Sequence, residues 1–169
     1  AAISLLAQED AANPPLSMTL MGGPLDTSVG ETEVTRLAQS KSLDWFEENM
    51  IAQVPQHYAG AGRYVYPGFI QLFSFMSMNP EKHMQSHLDL FKHLSAGDVI
   101  KADKIKEFYD EYLAVCDLPG KFYLDTIEKV FMDQHLAKGI LTVQGKKVDP
   151  SAIRQTPLLT VEGGKDDIV

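Results

Sequence analysis

Two short apolar runs sit near opposite ends of the chain, and they constrain the fold more than any other feature. The first, residues 16–21, has Pro14 and Pro15 before it and Gly22, Gly23 and Pro24 after it. The second, residues 158–161, follows Pro157 and precedes Gly163 and Gly164. Runs with these boundaries suit strands buried on both faces of a parallel sheet. Pro157 fits the first position of a strand, where its missing N–H does least harm. About 135 residues separate the two runs. A simple parallel crossover needs only about a dozen, so the middle of the chain reads as an inserted subdomain. Two parallel strands do not make a stable sheet unaided. Further strands are therefore expected from sequence outside these residues, and as an isolated piece Leu158, Leu159 and Val161 would expose an unpaired apolar edge.

The intervening sequence reads as helices. All fifteen aromatic residues fall between Trp45 and Phe131, so the aromatic core belongs to this region. Residues 32–54 hold one or two short helices, broken near Ser40 and Ser42. Phe69, Leu72, Phe73 and Met76 are spaced as one helical face. Asn79, Pro80 and Glu81 form an N-cap, a proline at the first helical position and an acid in the first turn. The helix they start carries Met84, His87, Leu88, Phe91 and Leu94 on one stripe. A further helix carries Ile105, Phe108, Tyr109, Tyr112 and Cys116, with Pro119 and Gly120 as its break. Another runs over about 121–138 and stops at Gly139. Residues 140–148, with Gln144 and Gly145 central, predict a hairpin. Asp149 then caps a short helical turn. The opening residues 1–7 read as a helix without an N-cap. With no initiator Met, they suggest a piece of a longer chain.

Charge and composition narrow the function. The 169 residues carry 15 basic and 23 acidic side chains, a net charge of −8. That argues against nucleic acid or an anionic membrane as partner, since both need a basic face. No apolar run approaches the roughly 18–20 residues of a bilayer span. The single cysteine fits a reducing cytosol, and the N-terminus lacks the basic and apolar regions of a signal peptide.

Candidate chemistry is sparse. No serine occupies a G-x-S-x-G turn, so a nucleophile elbow is missing from these residues. Cys116, on the apolar stripe of its helix, reads as a buried structural thiol. His83 and His87 have the i, i+4 spacing of two metal ligands, but without an intervening Glu or a third ligand they read as packed or surface imidazoles. Residues 162–168, Glu-Gly-Gly-Lys-Asp-Asp-Ile, place acids just past a strand's carboxyl end, where sites assemble in open α/β sheets. Such an acid can orient a histidine; the same residues also suit a polar turn. Asp26, just past the first strand, is a weaker candidate of the same kind. Six aromatics crowd residues 58–75. Phe69 and Phe73 read as helical core, whereas Phe75 and Met78 fit an exposed apolar lid.

The segments MTLMGGPLDTSV, LDWFEENMI, YPGFIQLFSFMSMNPEKH, EFYDEYLAVCDLPGKFYLDTIEKVF and KKVDPSAIRQTPLLTVEGGKDDI closely resemble the intracellular polyhydroxyalkanoate depolymerases. These are bacterial α/β hydrolases that cleave polyhydroxybutyrate-type storage polyesters. The resemblance covers essentially the whole chain, and YPGFIQLFSFMSMN and LLTVEGGKDDI are its most specific parts. It implies an α/β fold: part of an α/β-hydrolase parallel sheet with two core strands here and a large helical lid. Residues 1–27 and 151–169 would belong to the hydrolase core and 28–150 to the lid. It implies a Cys or Ser nucleophile shortly before Ala1 and a catalytic histidine after Val169. Of the triad only the acid would remain, and the family pattern G-x-x-D-x-I assigns that role to Asp166, with Asp167 the runner-up. No metal or cofactor is implied. The implied partner is the polymer or its granule surface in the cytoplasm, and this segment by itself would be inactive. The related polymer synthases share the fold and the strand-and-acid stretch. A non-catalytic granule-binding module is the alternative from another class.

Overall fold

The computed structural model describes residues 1–10, 12–30 and 32–163. They form two compact units. One comprises the described residues of Ala1–Phe46 and Leu124–Val169, the other Glu47–Tyr123.

The first unit is built on the two apolar runs. Strand β1 (Met18–Met21) pairs with β7 (Leu158–Val161) in parallel, Met18 opposite Leu158 and Met21 opposite Val161. The ladder is extended at each end by Met18 N–H donating to Pro157 O (2.8 Å) and Gly22 N–H donating to Val161 O (3.0 Å). The strand begins two residues later than the apolar run, because Leu16 stays outside the ladder and exposed. Burial on both faces is not observed. All of β7 is exposed and β1 alternates between half-buried and exposed positions, since nothing among the described residues covers the two strands on both faces.

Helix α1 (Ala2–Glu9) starts without a side-chain cap, as its sequence predicts. It packs on the helical turn Pro150–Ala152. Gln8 serves both sides of that contact, donating to Lys147 O and accepting from Asp149 N–H. Glu9 pairs with Lys146. The break between α2 (Glu33–Ser40) and α3 (Leu43–Met50) falls where expected. Lys41 is extended, and Ser42 Oγ accepts from Trp45 N–H (3.2 Å) to begin α3. Thr32 caps α2 reciprocally: its Oγ1 accepts from Thr35 N–H (3.2 Å), and Thr35 Oγ1 accepts from Thr32 N–H (2.9 Å). Such a box satisfies two otherwise orphaned donors. Thr32→Ala is expected to cost about 1 kcal/mol of stability, read as a lowered urea midpoint at unchanged slope.

The sequence-predicted long helix over 121–138 is shorter and irregular. Helix α7 (Gly120–Thr126) runs on into a π-helical turn, Ile127–Met132, and ends there. The hairpin follows, with β5 (Thr142–Val143) antiparallel to β6 (Lys146–Lys147). Gln144 and Gly145 both have positive φ, 51° and 79°, as a two-residue hairpin loop requires at both positions. Among the described residues of this unit, the buried apolar ones are Ala38, Phe46, Ile127 and Val148.

The second unit holds a small antiparallel sheet that the sequence pattern did not reveal. Its order is β2 (Ala52–Gln53), β3 (Tyr64–Tyr66), β4 (Leu118–Pro119). Strands of two or three residues carry too little alternation to read as strands. Gly120 allows the close approach after β4: a Cβ there would lie 3.2 Å from Ile51 Cγ2 and from Tyr64 O. The Tyr66 and Tyr123 rings stack, centroids 4.0 Å apart, and burial pushes both hydroxyl pKa values up.

Helix α4 (Gly68–Met78) begins where Asp117 Oδ1 accepts from Gly68 N–H (2.8 Å). Helix α5 (Pro80–Ser95) starts at Pro80 as predicted, but Asn79 makes no side-chain cap. Helix α6 (Val99–Tyr112) is capped by Asp98, whose Oδ1 accepts from Lys101 N–H. It ends at Tyr112, well before Pro119. Cys116 is therefore not on a helical stripe: it lies in the connection to β4 and is exposed. Helices α5 and α6 pack together through His83 and the tyrosines of α6. His83 Nδ1 lies 3.0 Å from the Tyr109 hydroxyl and Nε2 3.5 Å from that of Tyr112.

Candidate active site

Because β1 and β7 are parallel, their carboxyl ends leave the sheet at the same edge. In open α/β sheets, ligands bind in the crevice outside those ends. A cleft of about 280 Å³ lies there. Its walls come from the loop after β1, the start of α2, the π-helical turn and the first two residues after β7.

The loop after β1 turns at Gly22 and Gly30, both at positive φ (54° and 88°) with open space where a Cβ would go. Between them, Asp26 accepts from Ser28 N–H (3.0 Å) and Ser28 Oγ (2.6 Å). These two hydrogen bonds hold its carboxyl below the usual carboxylate range. Asp26 itself is exposed on the cleft rim. Thr27 points the other way. It is buried, and its Oγ1 donates to Val130 O (2.7 Å) in the π-helical turn. That bond ties the loop to a segment about 100 residues later and holds it beside Phe131, which also lines the cleft. π-Helical turns recur at functional sites. Thr32 and Thr35 complete the floor, their hydroxyls committed to each other's backbone.

Glu162 and Gly163 line the cleft on the β7 side. The two acids singled out from the sequence, Asp166 and Asp167, lie outside the described residues. Asp26 is where the sequence placed it, past β1 on this edge. Thr27 and Phe131 had no sequence signal, since their roles depend on a contact between segments far apart in the chain.

The other candidates are not among the residues that line this cleft. His83 sits between the two tyrosine hydroxyls and reads as a packed imidazole, whereas His87 is exposed and stacks on Tyr109 with centroids 4.6 Å apart. Among the described residues no group of three His, Cys, Asp or Glu is placed to hold a metal ion. Phe69 and Phe73 are not helical core. They are 73% and 74% exposed, and Phe75 is exposed as well. On α5 Met84, Leu88, Phe91 and Leu94 of the predicted stripe are exposed too, while its His87, like His83, meets the tyrosines of α6. No helix among the described residues is long and apolar enough to cross a membrane.

A family model described as PHB de-polymerase C-terminus matches residues 22–169. The chain belongs to this family. The match begins at the first residue after β1, so the PHB de-polymerase C-terminal region includes both loops of the cleft, the whole helical unit and β7. Comparison with curated proteins and with solved structures gave no match.

Proposed function

We propose that this chain is part of an intracellular polyhydroxyalkanoate depolymerase, a carboxylic ester hydrolase of polyhydroxybutyrate-type storage polymer. The observation that carries this reading is the convergence of β1 and β7 on one cleft in a chain of the PHB de-polymerase C-terminal family. In this reading the two strands are neighbours in a larger α/β-hydrolase sheet, which accounts for the exposure of β7. Residues 28–150 act as a lid, and the work takes place in the cytoplasm at the polymer granule.

The chemistry is acyl transfer through a Cys/Ser–His–Asp triad. Asp166, with Asp167 the alternative, accepts a hydrogen bond from the histidine, fixes its tautomer and stabilises the imidazolium. The histidine takes the nucleophile's proton as it attacks an ester carbonyl. Backbone N–H groups stabilise the oxyanion. The nucleophile and histidine come from sequence flanking these residues, so the 169-residue segment by itself is inactive. No metal or cofactor takes part.

The exposed apolar side chains of α4 and α5 favour a second function of the same protein, contact with the polymer surface. They would equally serve a non-catalytic granule-binding module. The test is incubation of the full-length protein with amorphous polyhydroxybutyrate granules. Release of 3-hydroxybutyrate and its oligomers is expected. Binding without release would select the binding module, and polymer growth from a hydroxyacyl thioester would select a synthase.

A further inference from the structure

The cleft at the carboxyl ends of β1 and β7 has an uneven lining. Among the described residues that line it, the charged ones are Asp26 and Glu162, both exposed, and none is Lys, Arg or His. Its polar floor is already committed. Thr27 Oγ1 donates to Val130 O, Thr32 and Thr35 form the α2 capping box, and the Asp26 carboxylate is held by Ser28. What the cleft offers a ligand is apolar surface, from Leu25, Val29 and Phe131. Leu25 and Val29 are largely exposed there, although each belongs to a loop pinned by Thr27.

Such a lining binds by apolar fit and repels negative charge. A polyester presents neutral units with apolar side groups, both in its interior and at its hydroxyl end, and one unit at its acid end that carries a carboxylate. We propose that this cleft takes an uncharged unit of the polyester, its side group against Leu25, Val29 and Phe131, and turns away units that carry a free carboxylate. The proposal rests on the depolymerase reading above and adds to it a bias against attack at the acid end of the chain. Asp26 stays anionic throughout the neutral range, because Ser28 stabilises its charged form. Repulsion between exposed like charges a few ångströms apart is modest in water and screened by salt.

The experiment compares hydroxybutyrate trimer as the free acid with the same trimer as its methyl ester, using the full-length protein. Both hydrolysis (kcat/KM) and binding (saturation-transfer NMR) are read. At low salt the ester is expected to be favoured by about three- to tenfold. The ratio is expected to shrink toward one in about 0.5 M salt. It is also expected to fall in Asp26→Asn, with Glu162→Gln as the second variant should the first disturb the loop. Equal handling of acid and ester at low salt overturns the proposal. So does a ratio that neither variant moves. If neither trimer is hydrolysed, the depolymerase reading fails, and the binding ratio alone decides the present proposal: tighter ester binding supports it and equal binding overturns it.

Discussion

Asp166→Asn in the full-length protein is expected to lower kcat for polyester hydrolysis by about 10³- to 10⁴-fold. An amide in the acid's place donates where the imidazole N–H needs an acceptor, so it favours the wrong histidine tautomer while leaving the local shape nearly unchanged. Asp167→Asn should retain activity within a few-fold of the parent, and KM should change little in either variant. The expectation follows from chain placement. β7 ends at Val161, and Glu162 and Gly163 already line the cleft, so Asp166 follows three residues later from the edge where sites form in such sheets. Measured rates decide the assignment directly. A large loss with Asp167→Asn and a small one with Asp166→Asn would transfer the role by one residue. Small losses in both would remove the acid from this loop and make Asp26 the next candidate. Because the Asn variants are nearly isosteric, unchanged urea midpoints separate lost chemistry from lost folding.

Phe46→Ala is expected to destabilise the first unit by about 3–5 kcal/mol, through lost burial and the cavity left behind. Phe46 is 1% exposed, and with Val148 it is among the largest fully buried side chains described. Its ring meets Trp45 edge to face, centroids 5.2 Å apart, a contact that contributes beyond buried area. A domain of ordinary stability has only about 5–15 kcal/mol in total, so this one change would remove a large share. The matching control is Phe69→Ala in the other unit. Phe69 is 73% exposed, and substitutions at such positions usually stay within about 0.5 kcal/mol. Urea titration of the two variants checks the contrast. Equal losses would mean that the α4 face is covered in solution. If Phe69→Ala leaves stability intact but weakens granule binding, the exposed face has a role at the polymer surface.

Phe69 also shows where sequence reading stopped. Phe69, Leu72, Phe73 and Met76 have the spacing of a helical stripe, and α4 is indeed a helix. Spacing shows that residues share a face, not which way the face turns. In α5 the stripe of Met84, His87, Leu88, Phe91 and Leu94 has helical periodicity, yet its apolar members are exposed while His87 joins His83 against the tyrosines of α6, and only packing makes that choice. Cys116 shows a related limit. Its spacing from Tyr109 and Tyr112 continues a helical pattern, yet the backbone leaves the helix after Tyr112 to reach β4. The partner of β4 is β3, about 50 residues earlier, and pairing at that distance leaves no mark in a local pattern.

By itself the sequence determined the features whose causes are local. The Pro- and Gly-bounded runs specified β1 and β7. Ser40, Lys41 and Ser42 separated α2 from α3, Pro80 opened α5, and Gln144 with Gly145 turned the hairpin. Each follows from backbone preferences or capping within a few residues, and these are written into residue identity. Only the tertiary structure decided what depends on contacts between distant segments: the parallel register of β1 on β7, the Thr27 bond to Val130 that sets Phe131 into the cleft, and the exposed faces of α4 and α5. The physical reason is that burial and long-range hydrogen bonds belong to pairs of surfaces, and a single local pattern encodes only one member of each pair.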